Sequence, residues 1–578
     1  MRVQWMIRNP ERGYIALLLS IGLLRFVNLG FLDLQAWDEA LYAVRAEGIL
    51  RYGGFFDQSP FSIGGLYSAL HPPLYVWLTS ASFAALGTTE LAARFTSALF
   101  GALTLLVLYR TGKELASPQV GFVAALLFGL NPFVTFFARQ GQFDTTMVFF
   151  LSLAMLWYLR MNSDRRWKSA VYAGLAVGAA LMTKLFVGFG IPLAFLLWRV
   201  AHPEGRRSSW KLFGISLVAM VLVSIPWYAY MTLVRGHGDP LFFLNSSALV
   251  ERTFYGVEGN IKPLEWLYFV NQLIVLFPVG VFWFVAGSFE IWRGRDKKWI
   301  FLLVWFLVFF LVFSVMRTKL AVYALPMLVP ASLIAAQMLI RSREGHLTNT
   351  KMAVLIGLSG LAFLWSCSQS WRNQAKEILA EILHAEFPSW SMLQSFSPFL
   401  LFAVLVIVLS IIISRNGLID TVRAALPFLI VLPASLMTFY SVLVHDRHQY
   451  KDGATEFAAF VQTKHPRNIT VVGFDRNPQL TFYLGGADIG WRTDIEVRRI
   501  SPPPDRREFK SWLSAEVGKL PDETLLVVEK DKIIHFGWVT SEEACPSNYA
   551  LVFDSKRYAV FQRLANSHAT TSRAEGVP

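Results

Sequence analysis

Long apolar runs recur along the first three quarters of this 578-residue chain, and they limit its fold more than any other feature. Hydrophobic residues make up 54% of the sequence and charged residues only 16%, whereas soluble domains carry about 25% charged residues. A helix needs about 20 consecutive apolar residues to cross a bilayer. The pattern therefore predicts an α-helical polytopic membrane protein with about thirteen transmembrane helices, at residues 14–31, 91–109, 119–137, 142–159, 169–183, 185–198, 212–233, 268–289, 299–316, 320–340, 352–370, 399–414 and 424–444.

Basic residues occur in the N-terminal tail and then in every second loop, beginning with the groups at Arg110/Lys113 and Arg165/Arg166. Cytoplasmic loops of membrane proteins carry such an excess of lysine and arginine. The alternation predicts a cytoplasmic N-terminus and, after an odd number of spans, a C-terminus on the outer side. Much of the net charge of +13 is then an orientation signal, which makes nucleic-acid binding the weaker explanation.

The largest predicted outer segments are residues 32–90 and 445–578. The first has the helical spacing of short interfacial helices at 39–51 and 74–87. The last has the composition of a soluble α/β domain, with a helix at Gly453–Lys464 and strands at Ile469–Phe474, Thr524–Val528 and Tyr558–Gln562. The sequence thus predicts a transmembrane domain at 1–444, a small outer α/β domain at 445–565 and a disordered tail at 566–578. Both cysteines, Cys367 and Cys545, are predicted on the outer side. The sequence does not decide whether they form a disulfide there.

Three carboxylates fall at predicted outer helix ends. Asp38 and Glu39 follow the first span, and Asp144 opens the fourth. Each aspartate can be explained as a helix cap, because carboxylates are favoured at helix N-termini. Charges at the edge of a bilayer are costly to desolvate, and two carboxylates on one face also suit a general base and its electrostatic partner.

Cations and two further polar side chains are predicted on the same side. A short outer turn carries Arg317, Lys319 and Tyr323, Thr183 precedes Lys184, and His71 precedes two prolines that fix an extended backbone. The remaining candidate is Arg252, in the loop before the eighth span. Lysine and arginine can instead extend to lipid headgroups, and a lone histidine is often structural. Cations beside carboxylates at a lipid-accessible surface suit a lipid-linked donor whose leaving group is a phosphate.

The order of these motifs resembles the GT-C superfamily of glycosyltransferases, and within it the bacterial protein O-mannosyltransferase and lipid A aminoarabinose transferase group. The motifs are Asp38-Glu39, Pro72-Pro73-Leu74, Asp144, Thr183-Lys184 and the segment Arg317 to Pro326. The resemblance implies the GT-C fold, an undecaprenyl-phosphate sugar donor, and transfer with inversion at the periplasmic face of the inner membrane. It also implies catalytic roles for Asp38, Glu39 and Asp144, and donor-phosphate contacts for Lys184, Lys319 and Tyr323, with Arg317 and Arg252 as further contacts.

One departure concerns the residues before the double proline. The aminoarabinose transferases carry Glu-Lys there, whereas this chain has Leu70-His71. The sequence therefore leaves the sugar open.

Three functions remain for the chain at this point. The first is sugar transfer to lipid A, lipopolysaccharide or another cell-envelope acceptor, and the second is protein O-mannosylation. The third is transport of a lipid-linked sugar. Transporters place ionisable sites near the bilayer midplane and show repeated halves, whereas the charges of this sequence gather at one predicted face and no repeat is seen, so transport is disfavoured. The resemblance implies no cofactor, although paired carboxylates could hold a divalent cation.

Overall fold

A computed structural model of the chain describes residues 10–35, 37–63, 72–161, 166–184, 186–202, 207–234, 253–254, 267–382, 453–473, 477–487, 491, 494–502, 508–530, 546, 548–555 and 557–564. The side chains of 207–209, 364 and 367–382 are outside this description. The chain forms two compact units, of which the first comprises residues 1–30 and 46–446 and the second residues 31–45 and 447–578.

The first unit is helical. Its helices are α1 (Pro10–Leu23), α2 (Asp38–Tyr52, which begins in the second unit), α3 (Leu74–Leu86), α4 (Glu90–Leu115), α5 (Pro118–Gly129), α6 (Pro132–Ala138), α7 (Asp144–Arg160), α8 (Arg166–Leu181), α9 (Gly190–Ala201), α10 (Arg207–Ala229), α11 (Tyr268–Leu276), α12 (Val281–Gly294), α13 (Lys297–Val315), α14 (Leu325–Arg343) and α15 (Asn349–Ile382). Short 3-10 turns at Leu24–Phe26, Ser59–Phe61, Val187–Phe189 and Ala321–Ala324 join some of them.

The predicted spans up to 352–370 overlap these helices, and helices also lie at the predicted interfacial segments 39–51 and 74–87. Within the described residues, four helices are long and apolar enough to cross a membrane, or six if each of two bent pairs is one span. The chain is thus a polytopic helical protein, and the count of thirteen stays a prediction. Spans 399–414 and 424–444, the tail 566–578 and both cysteine side chains lie outside the description.

Two predicted spans are broken helices. The span at 119–137 consists of α5 and α6, bent by 71°, and the span at 268–289 consists of α11 and α12, bent by 115°. At the first break Asn131 caps α6 by accepting from the Phe133 and Val134 N–H groups, and Pro132 occupies the first turn. Asparagine at the cap and proline just inside start a new helix, which explains the bend.

Small residues let the helices of the first unit pack closely. A Cβ at Gly112 of α4 would meet the backbone of Gly121 in α5, and a Cβ at Gly174 of α8 would meet the Ser216 carbonyl in α10. Close backbone approach through glycine is the usual way in which membrane helices gain packing energy, since hydrophobic burial drives little association there.

The second unit contains a five-stranded mixed sheet. Its elements are α16 (Ala454–Lys464), β1 (Asn468–Val472), α17 (Pro478–Tyr483), β2 (Glu496–Ile500), α18 (Phe509–Val517), β3 (Leu525–Glu529), β4 (Tyr549–Asp554) and β5 (Tyr558–Arg563). The strand order is β2-β1-β3-β5-β4, with β2, β1 and β3 parallel and β5 antiparallel to both neighbours. One apolar cluster joins the sheet to α18, and a second joins it to α16 and α17.

The strands predicted at Ile469–Phe474, Thr524–Val528 and Tyr558–Gln562 and the helix predicted at Gly453–Lys464 are present within one or two residues. The sequence pattern missed β2, β4, α17 and α18. It also gave no sign that residues 31–45 group with the C-terminal part of the chain.

Candidate active site

An ion pair joins two of the predicted site residues in the first unit. The Lys184 ammonium donates to the Asp144 carboxylate at 2.7 Å, and their side chains are only 17% and 7% exposed. Asp144 is the first residue of α7, while Lys184 lies in the turn that follows α8. The negative side chain suits the positive end of the helix dipole. The N-cap position of α7 is Phe143 and no side chain caps this helix, so the hydrogen bond of the Asp144 carboxylate goes to Lys184.

Aromatic rings flank the same ammonium. Lys184 Nζ lies 4.8 Å from the centre of the Phe143 ring and 5.2 Å from that of Tyr323. Tyr323 is itself buried and stacks on Phe313 with ring centres 4.8 Å apart. Ring faces attract a cation without forming the directed bonds that a carboxylate forms. The position of the Lys184 charge is therefore set by one carboxylate and two ring faces.

The segment after the double proline contacts both sides of this ion pair. The Leu74 N–H donates to the Met182 carbonyl at 3.0 Å, two residues before Lys184. Ser97 Oγ donates to the Gln142 carbonyl at 2.7 Å and lies 3.0 Å from the Tyr75 hydroxyl, which is then the donor of that pair. Leu74 and Tyr75 thereby connect the turn that carries Lys184 to the loop that precedes Asp144.

The backbone after Lys184 is unusual. Phe186 has a φ of 58°, in the left-handed region that bulky residues rarely enter. Such conformations cost about 1–3 kcal/mol each and cluster at binding and catalytic sites. This strain supports a functional role for the turn.

The other predicted cations differ in their surroundings. Lys319 is buried, and its ammonium donates to the carbonyls of Phe313 at 3.0 Å and Ser314 at 2.6 Å, at the C-terminal end of α13. A cation there satisfies helix carbonyls and the dipole. Arg317 is exposed, and its backbone N–H donates to the Thr253 carbonyl at 3.1 Å. His71 and Arg252 lie outside the described residues.

The two acidic site candidates in the second unit, Asp38 and Glu39, have different environments. Asp38 is exposed and begins α2. Glu39 is fully buried, and its carboxylate accepts the Gln35 N–H at 2.8 Å. Glu39 thus makes a contact inside the protein, whereas the Asp38 side chain is exposed.

Two further charged residues of α2 are buried. Burial lowers the pKa of Arg45 to about 10. Burial also raises the pKa of the Glu47 carboxyl above its usual value, although the Arg51 guanidinium, which donates to Glu47 Oε1, opposes the shift. Arg45 stays protonated at neutral pH. The Glu47 carboxyl binds its proton more tightly than an exposed carboxyl does.

The described residues contain no group of three histidine, cysteine, aspartate or glutamate side chains that could hold a metal ion.

Residues 70–228 match the family model of dolichyl-phosphate-mannose-protein mannosyltransferases. An undecaprenyl phosphate-alpha-4-amino-4-deoxy-L-arabinose arabinosyl transferase from Pseudomonas savastanoi is 26% identical over 387 residues, which are 64% of this chain and 70% of the relative. A transferase of the same name from Pseudomonas fluorescens is 29% identical over 61% of this chain and 63% of its own length. The crystal structure of ArnT from Cupriavidus metallidurans bound to undecaprenyl phosphate superposes with a TM-score of 0.63 at 18% identity, covering 96% of this chain and 98% of that one.

In sequence and fold the chain is similar to ArnT and related glycosyltransferases. The expected helical membrane fold with a small C-terminal sheet is confirmed. The region that matches the family model contains both Asp144 and Lys184.

The Lys184 ammonium has N–H donors without a partner among the described residues. Within the described part of the chain its hydrogen-bonding partner is Asp144, and an ammonium has three N–H donors. Two donors are therefore available to an anionic ligand. A charge-assisted bond to phosphate is about twice as strong as a neutral one.

Some residues around the candidate site have no signal in the sequence. Phe143 is an ordinary apolar residue in the sequence, and Tyr75 and Ser97 contribute through one hydroxyl each. The position of Tyr75 directly after the Pro-Pro-Leu motif was the one available signal. The hydroxyls of Thr145 and Thr146 are buried without a hydrogen-bonding partner among the described residues.

Proposed function

We propose that this glycosyltransferase moves a sugar from an undecaprenyl-phosphate-linked donor to lipid A, lipopolysaccharide or another cell-envelope acceptor, with inversion at the anomeric carbon. The relatives' names indicate the donor class, and the superposed structure holds undecaprenyl phosphate. The reaction breaks the bond between C1 of the sugar and the phosphate oxygen, and it forms a bond between C1 and an acceptor oxygen.

The Lys184–Asp144 ion pair is the observation that carries this proposal. As the bond to C1 breaks, negative charge grows on the leaving phosphate, and the free N–H donors of Lys184 stabilise it. Asp144 orients the ammonium by accepting one of its N–H groups. Arg317, exposed on its turn, is a second candidate contact for the phosphate.

Asp38 is the proposed general base. It is exposed at the start of α2, so an acceptor can reach its carboxylate. A hydroxyl acceptor would lose its proton to Asp38 as its oxygen attacks C1. An acceptor phosphate is already ionised and would need no base.

The proposed location is the bacterial inner membrane, with a cytoplasmic N-terminus and the C-terminal α/β domain in the periplasm. The alternation of basic loops supports this orientation. Undecaprenyl phosphate is a membrane lipid, and the apolar helices of the first unit would give access to it.

A protein acceptor is the second candidate, because the matching family model describes protein mannosyltransferases that use a polyprenyl-type phosphate donor. The two acceptors differ in what they would leave behind in a strain without the gene. A lipid acceptor predicts one missing sugar increment in the glycolipid fraction, whereas a protein acceptor predicts it in glycopeptides.

Comparative mass spectrometry of a deletion strain tests both candidates. Complementation with the wild-type gene should restore the missing increment, and complementation with a Lys184→Ala variant that inserts normally should not. Lipid and peptide profiles that are unchanged by the deletion under conditions of expression would contradict the proposed transfer.

A further inference from the structure

Asp33 fixes the loop before Asp38 to the C-terminal helix α16. Its carboxylate is buried and accepts the Ala454 N–H at 2.9 Å and the Thr455 N–H at 3.2 Å, and it also accepts the Thr455 hydroxyl. These are the first N–H groups of α16, which have no partner inside the helix. The α16 N-terminus is therefore satisfied by a residue more than 400 positions earlier in the chain.

The next residue is held from both sides of its peptide group. The Leu34 N–H donates to the Tyr483 hydroxyl at 3.1 Å, and Gln479 Nε2 donates to the Leu34 carbonyl at 2.6 Å. Gln479 is itself fully buried and accepts the Tyr558 hydroxyl at 2.8 Å. The carboxamide of Gln479 thereby connects Leu34 to strand β5.

The partners of Asp33 and Leu34 also contact each other. The Tyr558 ring stacks on Phe457 of α16 with centres 5.1 Å apart, and Asp33 binds the start of the same helix. Gln35 follows, with its N–H bound by Glu39. The side chain of Asp33 and the backbone groups of Leu34 and Gln35 are thus hydrogen-bonded a few residues before Asp38.

We propose that Asp33 and Gln479 are positioning residues for sugar transfer, through which the C-terminal α/β domain holds the loop that presents Asp38. This inference rests on the proposed role of Asp38 as the general base. A displacement of about 1 Å at a reacting group can cost about a hundredfold in rate. Neither Asp33 nor Gln479 touches the reactants in this scheme, so their effect is confined to the placement of Asp38.

The test compares Asp33→Ala and Gln479→Leu with Val528→Ala in the full-length protein. Val528 is buried in the apolar cluster that joins the sheet to α18, away from the loop, so its truncation loosens the domain without cutting a loop contact. Donor KM, kcat and thermal unfolding are measured in detergent, and hydrogen exchange is followed in the peptide 31–45.

The expected result is a fall of about tenfold or more in kcat for the two loop variants, with donor KM within about twofold of the wild type. Exchange in the peptide 31–45 should rise in both loop variants and not in Val528→Ala, which should keep its kcat. Thr455→Val replaces Asp33→Ala in the test if Asp33→Ala fails to fold. It removes only the hydroxyl donor to Asp33, so its kcat should lie between those of the wild type and the loop variants.

Two outcomes would overturn the proposal. One is an Asp33→Ala variant with wild-type kcat, and the other is a Val528→Ala variant whose kcat falls as far as that of the loop variants. Asp38→Asn separates this failure from that of the proposed function. If Asp38→Asn is inactive and Asp33→Ala is fully active, only the positioning role fails, whereas an active Asp38→Asn removes the base on which both rest.

Discussion

Lys184 and Asp144 form an ion pair at 2.7 Å between the turn after α8 and the start of α7, with 40 positions between them in the chain. Removing one partner of a buried ion pair costs about 3–5 kcal/mol, because the other charge is left uncompensated. Replacing both partners with neutral residues of similar size avoids this cost. The pair therefore lets the structural and ligand-binding roles of Lys184 be separated.

We predict that Lys184→Met destabilises the protein and that the double variant Asp144→Asn/Lys184→Met recovers most of the loss. Donor binding should not recover with it, because the ammonium that faces the phosphate is still absent. The loss of a charged hydrogen bond, about 1.5–3 kcal/mol, corresponds to a rise of about 10- to 100-fold in donor Kd. Thermal unfolding and calorimetric titration with the lipid donor measure the two effects, and wild-type affinity in the double variant would contradict the role of Lys184.

Asp38→Asn should abolish transfer to a hydroxyl acceptor while the protein still folds. Asparagine is as well suited as aspartate to a helix start, so the change removes the base and spares α2. General-base catalysis contributes about 10²–10⁴-fold, which is the expected loss in kcat. Glu39→Gln is the control, because its amide oxygen can still accept the Gln35 N–H, and it should keep kcat within several fold.

Lys319→Met should lower stability more than donor affinity. The Lys319 ammonium donates to the Phe313 and Ser314 carbonyls, and losing such a bond costs about 1.5–3 kcal/mol. Arg317→Met is a matched control two residues away, because Arg317 is exposed and surface changes usually alter stability by less than about 0.5 kcal/mol. The thermal unfolding midpoint of Lys319→Met should be lower than that of Arg317→Met. The reverse order would show that the buried lysine is not structural.

Glu47 should make stability depend on pH. Burial raises the pKa of this carboxyl in the folded state above its unfolded value of about 4.5, so the folded state binds more protons within that window. Stability should therefore fall as pH rises from about 4.5 through the folded pKa. Glu47→Gln should flatten this part of the curve and stabilise the protein at neutral pH. Unfolding midpoints across this range measure the difference, and parallel curves for the two proteins would refute the contribution of Glu47.

Apolar runs predicted most helix positions because crossing a bilayer imposes a length and composition on each segment. They did not predict the break at Asn131-Pro132, where a cap signal lies inside a continuous apolar run. In the second unit, the pattern found β1, β3 and β5, whose residues are largely buried. It missed β2 and β4, because their partly exposed edge positions carry charged or mixed residues.

The sequence identified Asp144 and Lys184 as separate candidates, and the structure supplied their pairing. Asp33 received no role, because its partners at Ala454 and Thr455 are 421 and 422 positions away and no local pattern connects them. Such contacts depend on tertiary packing. Motif order therefore indicated the chemistry, whereas the support of each side chain became visible only in three dimensions.

The anchoring of residues 33 and 34 has a consequence for the synthesis of the protein. The loop that carries Asp38 leaves the ribosome early, but its partners Ala454 and Gln479 follow 421 and 445 positions after the residues they bind. Until that part is translated, Asp33 and Leu34 lack these hydrogen-bonding partners. If Asp33 and Gln479 position Asp38 as proposed, transfer can begin only after the segment that contains Ala454 and Gln479 has been translated.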